Sequence, residues 1–243
     1  MSITGDISIE AWIKLEQLPS TAGSAFAICS KYTNTSRSWR FEIGTDDKLA
    51  FYFYDTAGFS GGSCNTAFSA GDVGVWRHIT VTVDVSVPTN LFYIGGSVKT
   101  TTMVGTTVTS IKDSTTALTI GAMDHDGTPT YFFDGKIKNV RLWNDIRTAT
   151  EIDDNKCLPN STFTPGTANY ADGWSFENTL ASDSGNNNLT AVNNPVFSED
   201  VPSCLEVSGP AGVKTINELA IASVKTIQET AIANVKTINN SAV

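Results

Sequence analysis

Ile7-Ser8-Ile9-Glu10-Ala11-Trp12-Ile13-Lys14 alternates apolar with polar or amphipathic residues over its whole length. Successive residues of a β-strand point to opposite faces, so Ile7, Ile9, Ala11 and Ile13 share one face and Ser8, Glu10, Trp12 and Lys14 the other. This reads as a strand of a sheet that lays one side on a core. The pattern recurs. Phe26–Lys31 and Trp39–Ile43 flank the turn-like Asn34-Thr35-Ser36, and Leu49–Tyr54 follows Asp46-Asp47-Lys48. Next come His78–Asp84 and Asn90–Ile94, the latter closed by the two-residue turn Gly95-Gly96. Leu118–Gly121 and Phe132–Trp143 complete the series, while Gly58–Ser63 reads as a Gly/Ser-rich loop. About ten strands, spaced roughly ten residues apart, predict an antiparallel sandwich or jelly roll.

One short helix is expected from Thr148 to Asn155, because Thr148 and Glu151 stand at capping-box spacing. Beyond Pro159 the chain turns rich in Asn, Ser, Thr and Pro, with strand signals at Trp174–Phe176 and Leu189–Val192. The sandwich is assigned residues 1–207, and Ser208-Gly209-Pro210-Ala211-Gly212 reads as a hinge.

The 243 residues carry a formal net charge of −9 with only 17% charged residues. Such an acidic chain is unsuited to tracking a phosphate backbone, so no nucleic-acid partner is expected. No stretch of eighteen apolar residues occurs, so no membrane insertion is expected either. Met1-Ser2-Ile3-Thr4-Gly5-Asp6 lacks the basic and apolar regions of a secretory leader. The four cysteines leave two readings open: four buried thiols, or one bridge, either Cys157 to Cys204 or Cys29 to Cys64.

The final residues repeat an eleven-residue unit starting at Val213, Val224 and Val235. Its apolar positions, Val213, Ile216, Leu219, Ile221, Val224, Ile227, Ile232, Val235 and Ile238, are too many for so short a unit to bury by itself. The tail is therefore expected to dock on a partner or on other copies of the chain, with a trimer as the guess. Thr and Val in every unit favour strand. A helix of eleven residues per three turns is the alternative.

The body resembles the laminin-G/pentraxin-like, concanavalin A-like lectin/glucanase domains. The resemblance rests on Ile7–Lys14, on Trp76-Arg77-His78-Ile79-Thr80-Val81-Thr82-Val83-Asp84, and on Phe133-Asp134-Gly135-Lys136-Ile137 through Val140-Arg141-Leu142-Trp143-Asn144 to Arg147 and Glu151-Ile152. Gly173–Glu177 and Asp183-Ser184-Gly185-Asn186-Asn187 are similar to a strand and loop found beside such domains. The resemblance implies an all-β jelly roll and is poor for function, since this fold hosts lectins, adhesion modules, hydrolases and spacers. The tail resembles the V-K-T-I-N-G arrays of tailed-phage virion proteins. Here Asn217-Glu218, Gln228-Glu229 and Asn239-Asn240 replace Asn-Gly. Together these imply a virion surface protein (capsid decoration, head fibre or tail fibre) attached through its tail to other virion proteins or to copies of itself. The alternative is a bacterial extracellular carbohydrate-binding or adhesion module.

Chemistry-bearing residues are few. The fold's retaining glycosidases need two carboxylates about 5 Å apart. Glu151-Ile152-Asp153-Asp154, the nearest cluster, lies in the expected helix, and neither His78 nor His125 stands in a nucleophile context. No catalytic residue and no enzyme is therefore predicted. Trp12, Trp76 and Trp143 read as packing residues, and His78 as a partner of a backbone carbonyl. The resemblance implies Ca2+ as the candidate ligand, since many such domains use it and it takes loop oxygens. The candidate ligands are Asp124 and Asp126 in one turn and Asp183 and Asn186 in another. Aromatic and amide residues near loops give the candidate contacts to cell-surface glycans: Tyr52, Tyr54, Phe59, Asn65 and Tyr131.

Overall fold

In the computed structural model, residues 2–106, 108–163 and 167–205 are described. The chain divides after Pro202 into a body and a C-terminal unit, of which the described part is the 3-10 turn Ser203–Leu205. The expected hinge at 208–212 and the repeat tail, with Val213, Ile216, Leu219, Ile221, Val224, Ile227, Ile232, Val235 and Ile238, lie outside the described residues.

The strands in chain order are β1 (Ile7–Leu15), β2 (Phe26–Tyr32), β3 (Arg37–Ile43), β4 (Lys48–Tyr54), β5 (Phe59–Ala67), β6 (Trp76–Asp84) and β7 (Thr89–Ile94). They continue with β8 (Ser97–Lys99), β9 (Thr101–Thr106), β10 (Thr119–Ile120), β11 (Met123–His125), β12 (Thr128–Thr130), β13 (Gly135–Trp143) and β14 (Tyr170–Trp174). Helices α1 (Pro19–Ala22) and α2 (Ala149–Asn155) are short. One six-stranded sheet runs β14-β13-β1-β6-β7-β8, the other β10-β2-β3-β4-β5-β9, and β11 with β12 forms a separate hairpin. All the strand pairs are antiparallel. This is the jelly-roll sandwich expected.

The alternation in β1 does what its sequence predicts on one side. Ile7, Ile9, Ala11, Ile13 and Leu15 are all buried, in one core cluster with Trp39, Phe41, Phe51, Phe53 and Phe92. The stacked rings of Phe41 in β3 and Phe92 in β7, 6.4 Å apart, join the two sheets. Each such side chain removed from water contributes about 1.5–3 kcal/mol. Asn90 Nδ2 adds a polar tie by donating to the Phe51 carbonyl at 2.8 Å.

The other side of β1 is covered too. Thr148 caps α2, its Oγ1 accepting from the Glu151 amide at 3.2 Å while Glu151 Oε2 accepts from the Thr148 amide at 2.8 Å. The helix lies against the Gly95-Gly96 turn, where a Cβ on Gly96 would collide with the Asp153 carboxylate. Ser8 Oγ donates to the Asp145 carbonyl and Trp12 Nε1 to the Lys156 carbonyl, each at 2.7 Å. Glu10 is consequently 1% exposed.

Several expectations are corrected. Gly58–Ser63 is not a loop, since Phe59–Ala67 is strand β5, and its glycines allow close approach of the neighbouring backbones. Leu189–Val192 forms no strand. His78 faces a carboxylate, its Nε2 lying 3.2 Å from Glu10 Oε2, rather than a backbone carbonyl. Cys29 and Cys64 are free buried thiols, whereas Cys157 and Cys204 are disulfide-bonded. A Cys29–Cys64 bridge fails on topology. Strands β3 and β4 separate β2 from β5, about 14 Å at the usual interstrand spacing, well beyond the Cα separation of about 4.4–6.8 Å that a disulfide needs.

Candidate functional site

The outer face of the second sheet is built by alternation in β3 and β4. In β3, Trp39, Phe41 and Ile43 enter the core, which turns Arg40 and Glu42 outward. In β4, Leu49, Phe51 and Phe53 go inward and Tyr52 and Tyr54 outward. Register then sets Arg40 opposite Tyr52, Tyr52 opposite Gly61, and Tyr54 opposite Phe59. With no side chain on Gly61, the Tyr52 ring sits edge-on to Phe59 at 6.2 Å, and Tyr54 lies 6.0 Å from the same ring.

Two guanidinium groups stack on this aromatic floor. Arg40 lies 4.7 Å from the Tyr52 ring centre and 5.5 Å from that of Tyr32. Arg37 lies 5.7 Å from Tyr54 and 5.8 Å from Tyr32. Both fall within cation–π reach. Glu42 Oε2 is 3.5 Å from Arg40 Nη1, too long for a strong charge-assisted hydrogen bond. Burial pushes the Glu42 carboxyl above its ordinary value, against the pull of Arg40. Burial likewise raises the Tyr52 and Tyr54 hydroxyls. What results is an aromatic face with two cations and one half-satisfied carboxylate, able to stack on a sugar ring and hydrogen-bond its substituents.

The structure brings Tyr52, Tyr54 and Phe59 together as neighbours. Tyr54 is largely buried, packed with Ala27, Tyr32 and Met123, while Phe59 is exposed. Asn65 stands further along β5, where its Oδ1 accepts from Thr102 Oγ1 at 2.6 Å. Tyr131 follows β12 with φ 51°, and its carbonyl accepts from the Ala27 amide at 2.8 Å. Tyr32, Arg37, Arg40 and Glu42 were not anticipated. The alternation of β3 signals that Arg40 and Glu42, two apart, face away from Trp39, Phe41 and Ile43, but only the register of β2, β3 and β4 brings Tyr32 and Arg37 beside them.

The candidate calcium ligands fall in two separate turns. Asp124 Oδ1 accepts from the Gly127 amide at 2.6 Å, and Asp126 Oδ1 accepts from the Thr35 amide and hydroxyl at 3.2 and 3.0 Å. Asp183 accepts from the Tyr170 hydroxyl, and the Asn186 amide donates to Ser184 Oγ at 3.1 Å. The hub of that second loop is Asp172, which accepts from the Ser184 amide, the Ser184 hydroxyl and Asn187 Nδ2. Burial acts to raise Asp172, but hydrogen bonds from Asn187 and Ser184 hold it below the usual carboxylate range. Among the described residues, no group of three or more His, Cys, Asp or Glu side chains is placed to hold a metal.

A cleft of about 330 Å³ opens elsewhere, lined by Pro159, Asn160, Ser161, Phe163, Ser175, Glu177 and Asp183. Part of its polar lining is already engaged. Asn160 joins Arg141 and the Val140 carbonyl, Asp183 holds Tyr170, and Glu177 lies 3.4 Å from Lys138 Nζ. The aromatic face, with its unspent donors, is the better candidate despite its shallower form.

Two-sheet antiparallel jelly rolls include lectin domains among several other functional classes. The family model described as the concanavalin A-like lectin/glucanases superfamily matches residues 1–153, and the chain belongs to that family. Among solved structures, it is similar to a protein of Bacteroides ovatus described as an inferred carbohydrate-binding protein, at 16% identity and TM-score 0.55. That match covers 72% of this chain and 46% of the other, so this chain spans less than half of the Bacteroides protein. A heptameric SAP-like pentraxin of Limulus polyphemus is matched at 16% identity and TM-score 0.46, over 63% of this chain and 70% of that one. The CBM40 of a Ruminococcus gnavus IT-sialidase, bound to α2,3-sialyllactose, is matched at 14% identity and TM-score 0.44, over 63% and 82%. These likenesses concern the fold. Comparison with curated proteins finds no match.

Proposed function

We propose that the protein is a non-catalytic glycan-binding module whose contact surface is the outer face of β3, β4 and β5. One observation carries this reading: Arg40, stacked on Tyr52 and Tyr32, makes no hydrogen bond to any described residue, and the same Tyr52 ring lies edge-on to exposed Phe59. Aromatic rings supply apolar contact area to sugar rings, and adjacent polar groups supply orientation. The test is a glycan-array screen with wild-type protein and the Tyr52→Ala variant. Binding by the wild type that falls about tenfold or more in the variant supports the reading. A wild type that binds no glycan overturns it.

We further propose display on the virion surface of a tailed phage, with the repeat tail docking on other virion proteins or on further copies of the chain. The support is the triplicated apolar unit from Val213 to Val243. Many copies on one particle give weak sugar contacts collective strength. Solution mass of the full chain beside a version ending at Val207 tests self-association. Equal monomeric masses at high concentration remove the homo-oligomer. Absence of the protein from particles of a phage encoding it removes the virion role, leaving an extracellular bacterial adhesion module as the alternative.

A further inference from the structure

Resting on that glycan-binding reading, we infer that the outer face of the second sheet selects acidic sugars, those bearing a carboxylate or sulfate, over neutral ones. A guanidinium carries five N–H groups in a fixed plane and cannot shed its charge. Arg40 is three-quarters withdrawn from water, yet among the described residues none of its N–H groups makes a hydrogen bond. Its Nε is buried without a partner, and its nearest carboxylate oxygen stands 3.5 Å away. Folded proteins rarely leave such a group unmatched, and each exception calls for a cause.

The second cation removes the local charge balance. Arg37 is exposed, forms no ion pair among the described residues, and spends only Nε, on the Asn34 carbonyl at 3.1 Å. Arg37 and Arg40 both lie within 6 Å of the Tyr32 ring centre, so the two guanidinium groups share one small area. Against them stands Glu42, already committed to Arg40. This patch therefore carries excess positive charge on a protein whose formal net charge is −9.

Stacking also fixes orientation. A guanidinium lying over aromatic rings keeps its N–H edges free, and those edges match the paired oxygens of a carboxylate or sulfate. The rings hold both side chains before the ligand arrives, which lowers the ordering cost of binding. Exposed Phe59, next to Tyr52, supplies the apolar contact for the ring that bears the acidic group. A neutral sugar would use the same floor but would leave Arg37 without an anionic partner and Arg40 with only the 3.5 Å contact to Glu42.

The experiment compares matched pairs that differ only in the charged group: lactose against its 3′-sulfate, lactose against 3′-sialyllactose, and trigalacturonate against its methyl ester. Titrations use the full chain, the exposed-site variant Arg37→Gln, and Arg40→Gln. The expected result is binding of at least one acidic member about tenfold or more tighter than its neutral partner, with the preference reduced about tenfold by Arg37→Gln. The sulfate and carboxylate pairs separate the two sources of negative charge. Equal binding of acidic and neutral partners overturns acidic selectivity while leaving the sugar site in place. A preference that survives in Arg37→Gln, and in Arg40→Gln where that variant keeps the wild-type melting temperature, overturns the assignment to these cations. No binding to any glycan overturns the underlying reading as well.

Discussion

The indole N–H of Trp143 donates to Glu10 Oε1 at 2.7 Å, between two fully buried side chains that lie 133 residues apart in the chain. Arg141 Nη1 stands 3.8 Å from the same oxygen. Burial acts to raise the Glu10 carboxyl, yet His78, Arg141 and Trp143 outweigh it and hold the group below its ordinary value. Burial holds His78 below its ordinary value, so it is neutral at pH 7. Glu10 thus compensates Arg141, whose remaining N–H groups go to Asn160 Oδ1 and to the Asn155 and Leu158 carbonyls.

Replacing Glu10 by Gln keeps the shape and removes the charge, leaving Arg141 as an uncompensated buried cation. Breaking a buried pair in this way costs about 3–5 kcal/mol. At about 2–4 °C per kcal/mol for a body of this size, the melting temperature falls by roughly 6–20 °C. Thermal unfolding followed by circular dichroism reads this directly. A melting temperature within 2 °C or so of wild type would show that Glu10 contributes little. Because the folded-state value of Glu10 is depressed, its contribution is complete above the unfolded value of about 4.3 and fades as pH drops towards the folded value. The gap between wild type and Glu10→Gln should therefore narrow only below about pH 4.

Asp200 gives a second acid-sensitive point, nearer the surface. Its carboxylate accepts from Lys136 Nζ at 2.7 Å, Lys14 Nζ at 2.8 Å and Trp76 Nε1 at 2.9 Å. Hydrogen bonds from Lys136, Lys14 and Trp76, in that order, pull it far below the carboxylate range. The sign follows from the depressed folded value: the tie is whole above the unfolded value of about 3.9 and is lost only as pH falls towards the lower folded one. At pH 7, Asp200→Asn should speed amide exchange across residues 196–202, and the difference should persist at pH 4. Exchange unchanged by the substitution at pH 7 would mean that the segment is held by other contacts.

Cys29 and Cys64 are both inaccessible, and burial pushes the Cys29 thiol upward, away from the reactive thiolate. Native protein mixed with a thiol-reactive dye should show no fast labelling, and denaturant should release both thiols. Rapid labelling of either cysteine in the native state would contradict its place in the core.

How far the chain could be read in advance follows from these side chains. The inward face of β1 was legible because Ile7, Ile9, Ala11 and Ile13 repeat with a period of two. The helix at α2 was legible because Thr148 and Glu151 satisfy each other's backbone locally. Glu10 was not legible as a buried residue. A carboxylate on the polar face of a strand reads as solvated, and the groups that cover it, His78, Arg141 and Trp143, lie about 70 to 130 residues away. Strand β5 was misread because glycine and serine signal a loop by composition, whereas here glycine meets a steric demand from β4. Tyr52, Tyr54 and Phe59 are legible as aromatic residues near loops. Arg37 and Arg40 were missed, because only the register of β2, β3 and β4 carries them onto the same rings.

That steric demand yields the last prediction. A Cβ on Gly61 would collide with the Phe51 carbonyl and lie 2.8 Å from both Cα and Cδ1 of Tyr52. Two of these three atoms are backbone and cannot swing aside, so Gly61→Ala must move β4 or β5. Overpacking of this kind costs about 1–3 kcal/mol. Because Gly61 pairs with Tyr52, the shift reaches the ring that lies 4.7 Å from the Arg40 guanidinium. Gly61→Ala should therefore weaken glycan binding several-fold as well as lower the melting temperature, although residue 61 offers a ligand no side chain. Gly71→Ala serves as the comparison, since a Cβ there meets only Ser69 Oγ at 3.6 Å, an ordinary contact. That variant should change neither quantity. Loss of stability in Gly61→Ala with binding fully preserved would separate the fold of β5 from the face above it, and would move the sugar contacts away from Tyr52.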